Sequence, residues 1–189
     1  MAVVGIVDEL AAPPPGVGLV DDTRLVVIGP EPDTLSGSQW AWRRGHRSGT
    51  PPALDLAGHR AVCDLVRRLV IDGLALGVHD TADGGLGLAL AEMAVRSGVG
   101  FVAHPPGGAG DHRWLFGESP SRFVLAVDPA ALAELQRRCR TIGQDASVVG
   151  DAGGDRVTIE GLVDVGLAEA VAAWKGRLPK LLGHGTTQG

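Results

Sequence analysis

The sequence predicts an α+β protein in which a mixed β-sheet is flanked by helices. Short apolar segments typical of buried strands alternate irregularly with longer segments of helical spacing. Some strand segments follow one another closely enough to form hairpins, which argues against a doubly wound parallel sheet. The chain has 189 residues, of which 44% are hydrophobic and 21% charged, so it suffices for one domain with a buried core.

Four strands are predicted in the first 103 residues of the chain, at residues 3–7, 24–28, 74–78 and 99–103. Ser36-Gly37-Ser38 could form a small anion nest, but the pattern favours an N-cap for a short helix that carries Trp40 inward. Asp55 is placed to cap a helix that ends at Gly73. The apolar stripe of this helix comprises Leu56, Val62, Leu65, Val66, Leu69 and Val70.

A second helix, from about Gly85 to Ser97, is apolar on nearly every side, as expected of a helix packed on both faces. In the second half of the chain, residues 122–127 read as a strand, and Asp128-Pro129 open a helix that runs to about Thr141. Its inward side chains are Leu132, Leu135 and Cys139. Two further strands, at 147–150 and 156–159, are joined by the turn DAGGD.

The last helix places its apolar residues on one stripe, and the polar tail GHGTTQG after it is expected to fray. The stripe consists of Leu167, Val171, Trp174, Leu178 and Leu181.

Composition excludes several classes of function. The net charge of −5, with no Lys/Arg cluster, argues against a nucleic-acid-binding surface. Cys63 and Cys139 are far apart and fall in helical segments without zinc spacing, so we expect reduced thiols in a cytoplasmic protein. The N-terminus lacks the pattern of a secretory signal, and no apolar run is long enough to cross a membrane.

The segment HDTADGG, residues 79–85, allows two interpretations. A strand that ends in His-Asp and leads through Gly-Gly into a helix is suited to binding an oxyanion on backbone N–H groups. Asp80 and Asp83 would repel a bare phosphate, so this interpretation requires Mg²⁺ between them. In the alternative, which the pattern favours, Asp83 caps the helix, the glycines turn the chain and His79 bonds a backbone group.

The segment FGESPSR, residues 116–122, is a second candidate for ribose or phosphate recognition. Glu118, Ser119 and Ser121 offer hydrogen-bonding groups, and Arg122 could meet an anion. The alternative is an ordinary turn with Arg122 on the surface. Because the sequence contains no P-loop, no dinucleotide fingerprint and no nucleophile elbow, the pattern predicts no catalytic residue.

Five segments together resemble the C-terminal part of the phosphoribosylformylglycinamidine synthase (PurL) family, in the AIR-synthase superfamily. They are PPALDL (51–56), HDTADGGLGLALAEMA (79–94), LFGESPSRFVLAVDP (115–129), GDRVTI (154–159) and VDVGLAEAVAAWKGRLPKLL (163–182). The resemblance implies an AIR-synthase C-terminal-domain-like fold over residues 1–183. This domain would be the second C-terminal copy in a synthetase, followed by a flexible tail at 184–189.

The resemblance also implies a function. The family is an ATP-dependent C–N ligase that uses Mg²⁺, ATP and glutamine-derived ammonia to convert formylglycinamide ribonucleotide to its amidine. The implied partners are the remaining domains of the synthetase, a glutaminase subunit (PurQ) and a small bridging subunit (PurS). We expect the isolated chain to be inactive, to close a pseudo-symmetric nucleotide site and to self-associate through an exposed apolar face. The alternative is a stand-alone, non-catalytic nucleotide- or partner-binding module.

By the same resemblance, Asp80 is the candidate metal ligand of this chain. The candidate nucleotide- or phosphate-binding residues are Thr81, Asp83, Gly84, Gly85, Glu118 and Ser119. Two departures weaken such a site: Ala82 replaces the family's serine, and Pro120 stands where a glutamine or similar residue is common. We therefore expect a corner that keeps the metal-binding half of a phosphate site and has become structural.

Overall fold

The computed structural model describes residues 14–106 and 112–183. Within these ranges seven strands form one mixed sheet, ordered β2-β4-β1-β5-β3-β6-β7 and flanked by helices, which confirms the predicted α+β class. The predicted strand 3–7 and the tail 184–189 lie outside the described residues, as does the middle of the predicted loop 104–112.

The strands are β1 Arg24–Ile28, β2 Gly77–Asp80, β3 Phe101–Ala103, β4 Phe123–Val127, β5 Ala146–Ala152, β6 Arg156–Ile159 and β7 Val163–Gly166. The helices are α1 Gln39–Arg43, α2 Leu56–Ile71, α3 Gly85–Ser97, α4 His112–Phe116, α5 Leu132–Thr141 and α6 Leu167–Leu181. A 3₁₀ turn, Pro129–Ala131, leads into α5 behind the capping side chain of Asp128.

The two strands β5 and β6 do not form the predicted hairpin, and that prediction is wrong. β3 lies between them, antiparallel to β5 and parallel to β6. The connection wraps around the start of β3, where Gly100 donates to the carbonyl of Gly154 and accepts from the N–H of Gly153, each at 2.8 Å. Because Gly153 and Gly154 bond to Gly100 at the start of β3, the turn leads around β3, and β5 and β6 do not pair with each other.

Strand β1 is buried on both faces of the sheet. Leu25 and Val27 contact a core formed mainly with α3, α4 and α6. Val26 and Ile28 face the second core, formed with α2 and α5. A strand buried on both sides needs an uninterrupted apolar run, and RLVVI supplies it. Each such side chain stabilises the fold by about 1.5–3 kcal/mol.

The predicted helices α2 and α3 are confirmed, whereas β2 begins later than expected. Asp55 caps α2 by accepting from the N–H of Ala57 at 3.0 Å. The N–H groups of Leu74 and Ala75 bond the carbonyl of Leu69 at 2.9 and 3.3 Å, so they finish α2 and cannot join the sheet. Leu56, predicted to face inward, is 72% exposed because it lies in the first turn, outside the core.

Helix α6 packs against the sheet only through its first turns. Leu167 is buried, and Val171 packs partly against the core. The rest of the predicted stripe lies in solvent, with Trp174 46%, Leu178 64% and Leu181 71% exposed. The periodicity predicted the helix correctly. Within the described residues, however, nothing packs over the apolar side chains of its last turns.

Candidate functional site

The segment 79–85 lies where β2 ends and turns into α3. Asp80 is the last residue of β2 and points outward, with 57% of its side chain exposed. Thr81 points inward and is 1% exposed. Its N–H and its hydroxyl both donate to the carbonyl of Arg122, at 3.0 and 3.4 Å. The Thr81 hydroxyl is therefore buried and bonded to the backbone of the protein.

Helix α3 begins at two glycines with left-handed backbone. Gly84 is the N-cap at φ 82°, and Gly85 follows at φ 68°. A Cβ on Gly85 would lie 2.7 Å from the carbonyl oxygen of Leu115, so the close approach requires glycine. Asp83 is exposed and is not the N-cap, and its predicted capping role is wrong because Gly84 takes that position.

The carboxylate of Glu118 occupies the N-terminus of α3. Its Oε1 accepts from the N–H of Gly84 at 2.8 Å and from the N–H of Gln39, the first residue of α1, at 2.7 Å. Backbone N–H groups at helix starts attract anions, and here a side chain of the protein supplies the anion. The carboxylate of Glu118 thus accepts hydrogen bonds from the starts of both helices.

Sequence reasoning missed the contribution of Gln39. Ser38 was correctly predicted to cap α1, since its Oγ accepts from the N–H of Ala41 at 3.2 Å. That cap indicates a helix start, but nothing in the spacing indicates that this start meets a residue 79 positions later in the chain.

Arg122 is buried beneath this corner. It is 2% exposed, so the interpretation that placed it on the surface is wrong. Its Nη1 donates to the carbonyl of Trp114 at 2.9 Å, and its Nε has no partner in the described part of the chain. Burial lowers the pKa of Arg122 to about 10, while the nearby charge of Glu31 acts in the opposite direction. Ser119, another predicted site residue, is also buried.

His79 links β2 to α3. Its Nδ1 donates to the backbone carbonyl of Asp80 at 2.7 Å, the backbone bond that the sequence predicted. Its Nε2 lies 3.1 Å from Oε2 of Glu92, in the middle of α3. The sequence did not indicate Glu92, because its contact with His79 joins a strand to a helix and depends on how β2 and α3 pack together.

The fit of a magnesium ion depends on Asp80. Mg²⁺ is commonly held by one or two carboxylates together with the phosphates of a ligand. The structure offers the exposed carboxylates of Asp80 and Asp83, but in residues 14–106 and 112–183 it places no three His, Cys, Asp or Glu side chains in an arrangement that could hold a metal ion. A metal here would need ligands besides these two carboxylates, and the N–H of Gly84 is already bonded to Glu118.

Comparison with protein families gives one match over most of the chain. Residues 21–161 match the family described as AIR synthase related protein, C-terminal domain. The chain is also 36% identical over 184 residues to the phosphoribosylformylglycinamidine synthase subunit PurL of a Nocardioides species. That alignment covers 97% of this chain and 24% of the relative.

Solved structures share the fold at low sequence identity. Thermotoga maritima PurL complexed with FGAR superposes with a TM-score of 0.68 at 17% identity, over 83% of this chain and 29% of that one. PurL complexed with ATP gives 0.63 at 16% identity, over 83% and 27%. The structure of PurLQS from the same organism gives 0.62 at 16% identity, over 82% and 27%.

Within the described residues, no helix has the length and apolar character needed to span a membrane.

Proposed function

Since the chain belongs to the family of the AIR synthase related protein, C-terminal domain, we propose that it serves as the corresponding domain of a phosphoribosylformylglycinamidine synthase. It spans about a quarter of the length of the curated relatives that it matches. The proposed reaction is the ATP-dependent conversion of formylglycinamide ribonucleotide to its amidine with glutamine-derived ammonia. In our proposal the domain is residues 1–183, followed by a tail at 184–189.

We assign the domain a structural part in this reaction. The observation that carries this assignment is the Glu118 carboxylate, which accepts hydrogen bonds from the starts of α1 and α3 at 2.7 and 2.8 Å. A carboxylate in this place neutralises the same backbone groups that a nucleotide phosphate would use. Thr81 and Ser119, which are buried, support the same conclusion. The corner closes a nucleotide site of the synthetase instead of operating as one.

In this proposal Asp80 keeps the capacity to bind a metal only when a phosphate is presented by another domain. Its exposure supports this part, because an outward carboxylate at the end of β2 is accessible to a neighbour. We expect calorimetric titration of the isolated chain with ADP and Mg²⁺ to give no binding heat. Metal-dependent binding that Asp80→Asn abolishes would instead assign a working nucleotide site to residues 79–85.

Reconstitution tests the proposed function directly. The PurL subunit of the Nocardioides relative, without the quarter that this chain matches, would be mixed with this chain, a glutaminase (PurQ) and a bridging subunit (PurS). Amidine formation from formylglycinamide ribonucleotide and ATP is expected only when this chain is added. Activity of the chain alone, or no association with the truncated subunit, would overturn the proposal.

The partner surface that we propose is the exposed stripe of α6, formed by Trp174, Leu178 and Leu181. Large apolar side chains in a contiguous row are typical of surfaces that meet another protein. In the synthetase this stripe would meet a neighbouring domain, and in the isolated chain it would meet a second copy. The free thiols of Cys63 and Cys139 support a cytoplasmic location for the assembly.

A further inference from the structure

The second half of helix α6 carries three cations and no acid. Lys175, Arg177 and Lys180 are exposed there, whereas the single acid of this helix, Glu169, lies in its first turn. In residues 14–106 and 112–183, no carboxylate pairs with any of these three cations. Because the chain as a whole has a net charge of −5, this end of α6 departs from the charge balance of the protein.

Two of the cations border the exposed stripe formed by Trp174, Leu178 and Leu181. On the surface of a helix, side chains three and four residues apart are neighbours. Arg177 is three residues after Trp174 and four before Leu181, so it lies along one edge of the stripe. Lys175 is three residues before Leu178 and lies along the other edge. The stripe is therefore an apolar row with a cation on each side.

Lys180 differs from these two cations. It is not three or four residues from any member of the stripe, so it lies on another side of the helix. Its place in the last turn has a local explanation, because the helix dipole stabilises a cation near the last carbonyls. Lys175 and Arg177 come before the last turn, where that effect has fallen off, so their position at the edges of the stripe calls for another explanation.

We propose that the partner of the exposed stripe is an apolar groove of a protein that has carboxylates along its edges. This inference rests on the function proposed above, in which the rest of a synthetase supplies the neighbouring domain. The chain covers 24% of the Nocardioides relative, so most of such a protein lies outside the matched region. An amphipathic helix that lays its apolar face into a groove is a common mode of recognition.

The charge at the edges determines the chemistry of that groove. When a partner covers the stripe, its rim comes against Lys175 and Arg177 and removes water from them. A cation that loses water without meeting an opposite charge weakens binding, whereas complementary charges strengthen it and fix the register. A second copy can shield the apolar row of the isolated chain, but the second half of its α6 holds no carboxylate for Arg177.

A lipid surface is the other kind of partner that a basic amphipathic helix meets. In this chain the exposed row consists of three large side chains, on a helix whose start at Leu167 is buried in the domain core. The helix is thus held by the fold and presents a short row of fixed shape. That geometry favours a protein groove over the plane of a membrane.

The experiment measures binding of the folded chain to the Nocardioides PurL subunit that lacks the matched quarter, at low and at high salt. The dissociation constant of the unmodified chain should rise with salt, because salt screens the pairing of cations with carboxylates. Arg177→Gln should weaken binding on the order of tenfold at low salt. Lys180→Gln removes the same charge away from the stripe, and as the matched control it should leave the dissociation constant nearly unchanged.

The outcomes separate this inference from the proposed function. If the unmodified chain does not bind the truncated subunit, the proposed function fails and the inference fails with it. If the chain binds but Arg177→Gln has no more effect than Lys180→Gln, or if salt does not weaken binding, the inference alone is wrong. Circular dichroism of each variant verifies that folded chains are compared.

Two further measurements test the location and the kind of partner. Leu178→Gln combined with Leu181→Gln should abolish binding to the truncated subunit, and binding that survives this change would place the contact elsewhere on the chain. Vesicles of phosphatidylcholine and phosphatidylserine should not bind the chain. Vesicle binding that Arg177→Gln abolishes would assign this surface to a membrane and contradict the proposed groove.

Discussion

At the scale of single residues, the carboxylate of Glu118 joins the starts of two helices. One carboxylate oxygen satisfies the first N–H of α1 and the N-cap N–H of α3. Both helices are thereby fixed to the loop before β4. In the function proposed above, the exposed acids Asp80 and Asp83 meet a phosphate only when another domain presents it.

Removing this carboxylate should destabilise the fold. Glu118→Ala leaves the N–H groups of Gln39 and Gly84 without their acceptor, so the free energy of unfolding should fall by roughly 2 kcal/mol. Glu118→Gln keeps an acceptor oxygen and loses only the charge at the two helix starts, so a loss of about 1 kcal/mol or less is expected. Urea unfolding at fixed pH measures both. Equal losses in the two variants would contradict the bridging role.

The site could be predicted from the sequence as a set of segments, but not as a set of contacts. Residue types at 79–85 and 116–122 indicated a candidate anion corner, but the outward side chain of Asp80 at the end of β2 was found only in the structure. The capping of α3 was wrong, because a left-handed glycine at the N-cap leaves no place for the Asp83 side chain. The burial of Arg122 and the contact of Gln39 with Glu118 depend on packing between distant segments, which spacing does not encode.

At the scale of elements, α5 is fastened to α2 by a network of charged groups. Glu134 accepts hydrogen bonds from Arg137 and Arg138, at 2.7 Å each. Arg138 also pairs with Asp72 at the end of α2. The hydrogen bonds from Arg137 and Arg138 hold the pKa of Glu134 at about 2, below its ordinary value of 4.5.

This network should make stability depend on pH in a defined window. The unfolded chain binds a proton at Glu134 near pH 4.5 and the folded chain only near 2, so the stabilisation is complete above pH 4.5 and is lost as the pH falls toward 2. The urea midpoint of Glu134→Gln should therefore lie below that of the unmodified chain at neutral pH and approach it in acid. Asp83→Asn, which removes an exposed acid, is the matched control and should show no such convergence.

Elements with strong local signals were predicted well. The run RLVVI predicted β1, Asp55 predicted the start of α2, and Asp128-Pro129 predicted the start of the α5 segment. The pairing of β5 with β6 was wrong because adjacency in sequence does not reveal that β3 inserts between them. The short helix α4 and strand β7 were not predicted, since segments of five and four residues carry too little periodicity.

At the scale of the whole molecule, α6 determines how the isolated chain should behave in solution. The apolar stripe of α6 is longer than the core that covers it. Leu167, at the start of the helix, is buried, whereas Leu178, near its end, is exposed to solvent. We expect a second copy to cover this surface when no other domain is present.

Sedimentation velocity should detect that association. The unmodified chain is expected to show a species heavier than its 19.4 kDa monomer as concentration rises. Leu178→Gln combined with Leu181→Gln should shift it toward the monomer, because the apolar area that drives contact is lost. Lys175→Gln, an exposed change on the same helix, should leave the distribution unaltered. A monomer at every concentration would count against the proposed surface.

The order of strands in the sheet also has a consequence for biogenesis. Strand β1 lies inside the sheet between β4 and β5, where Val26 is opposite Leu125 of β4 and Val148 of β5. During synthesis on the ribosome, this apolar strand emerges about a hundred residues before either neighbour exists. Its unpaired edges remain available for that interval, which slows folding and favours misassembly with other nascent chains. The placement between two later strands that buries β1 in the native protein therefore delays the burial of this strand during synthesis.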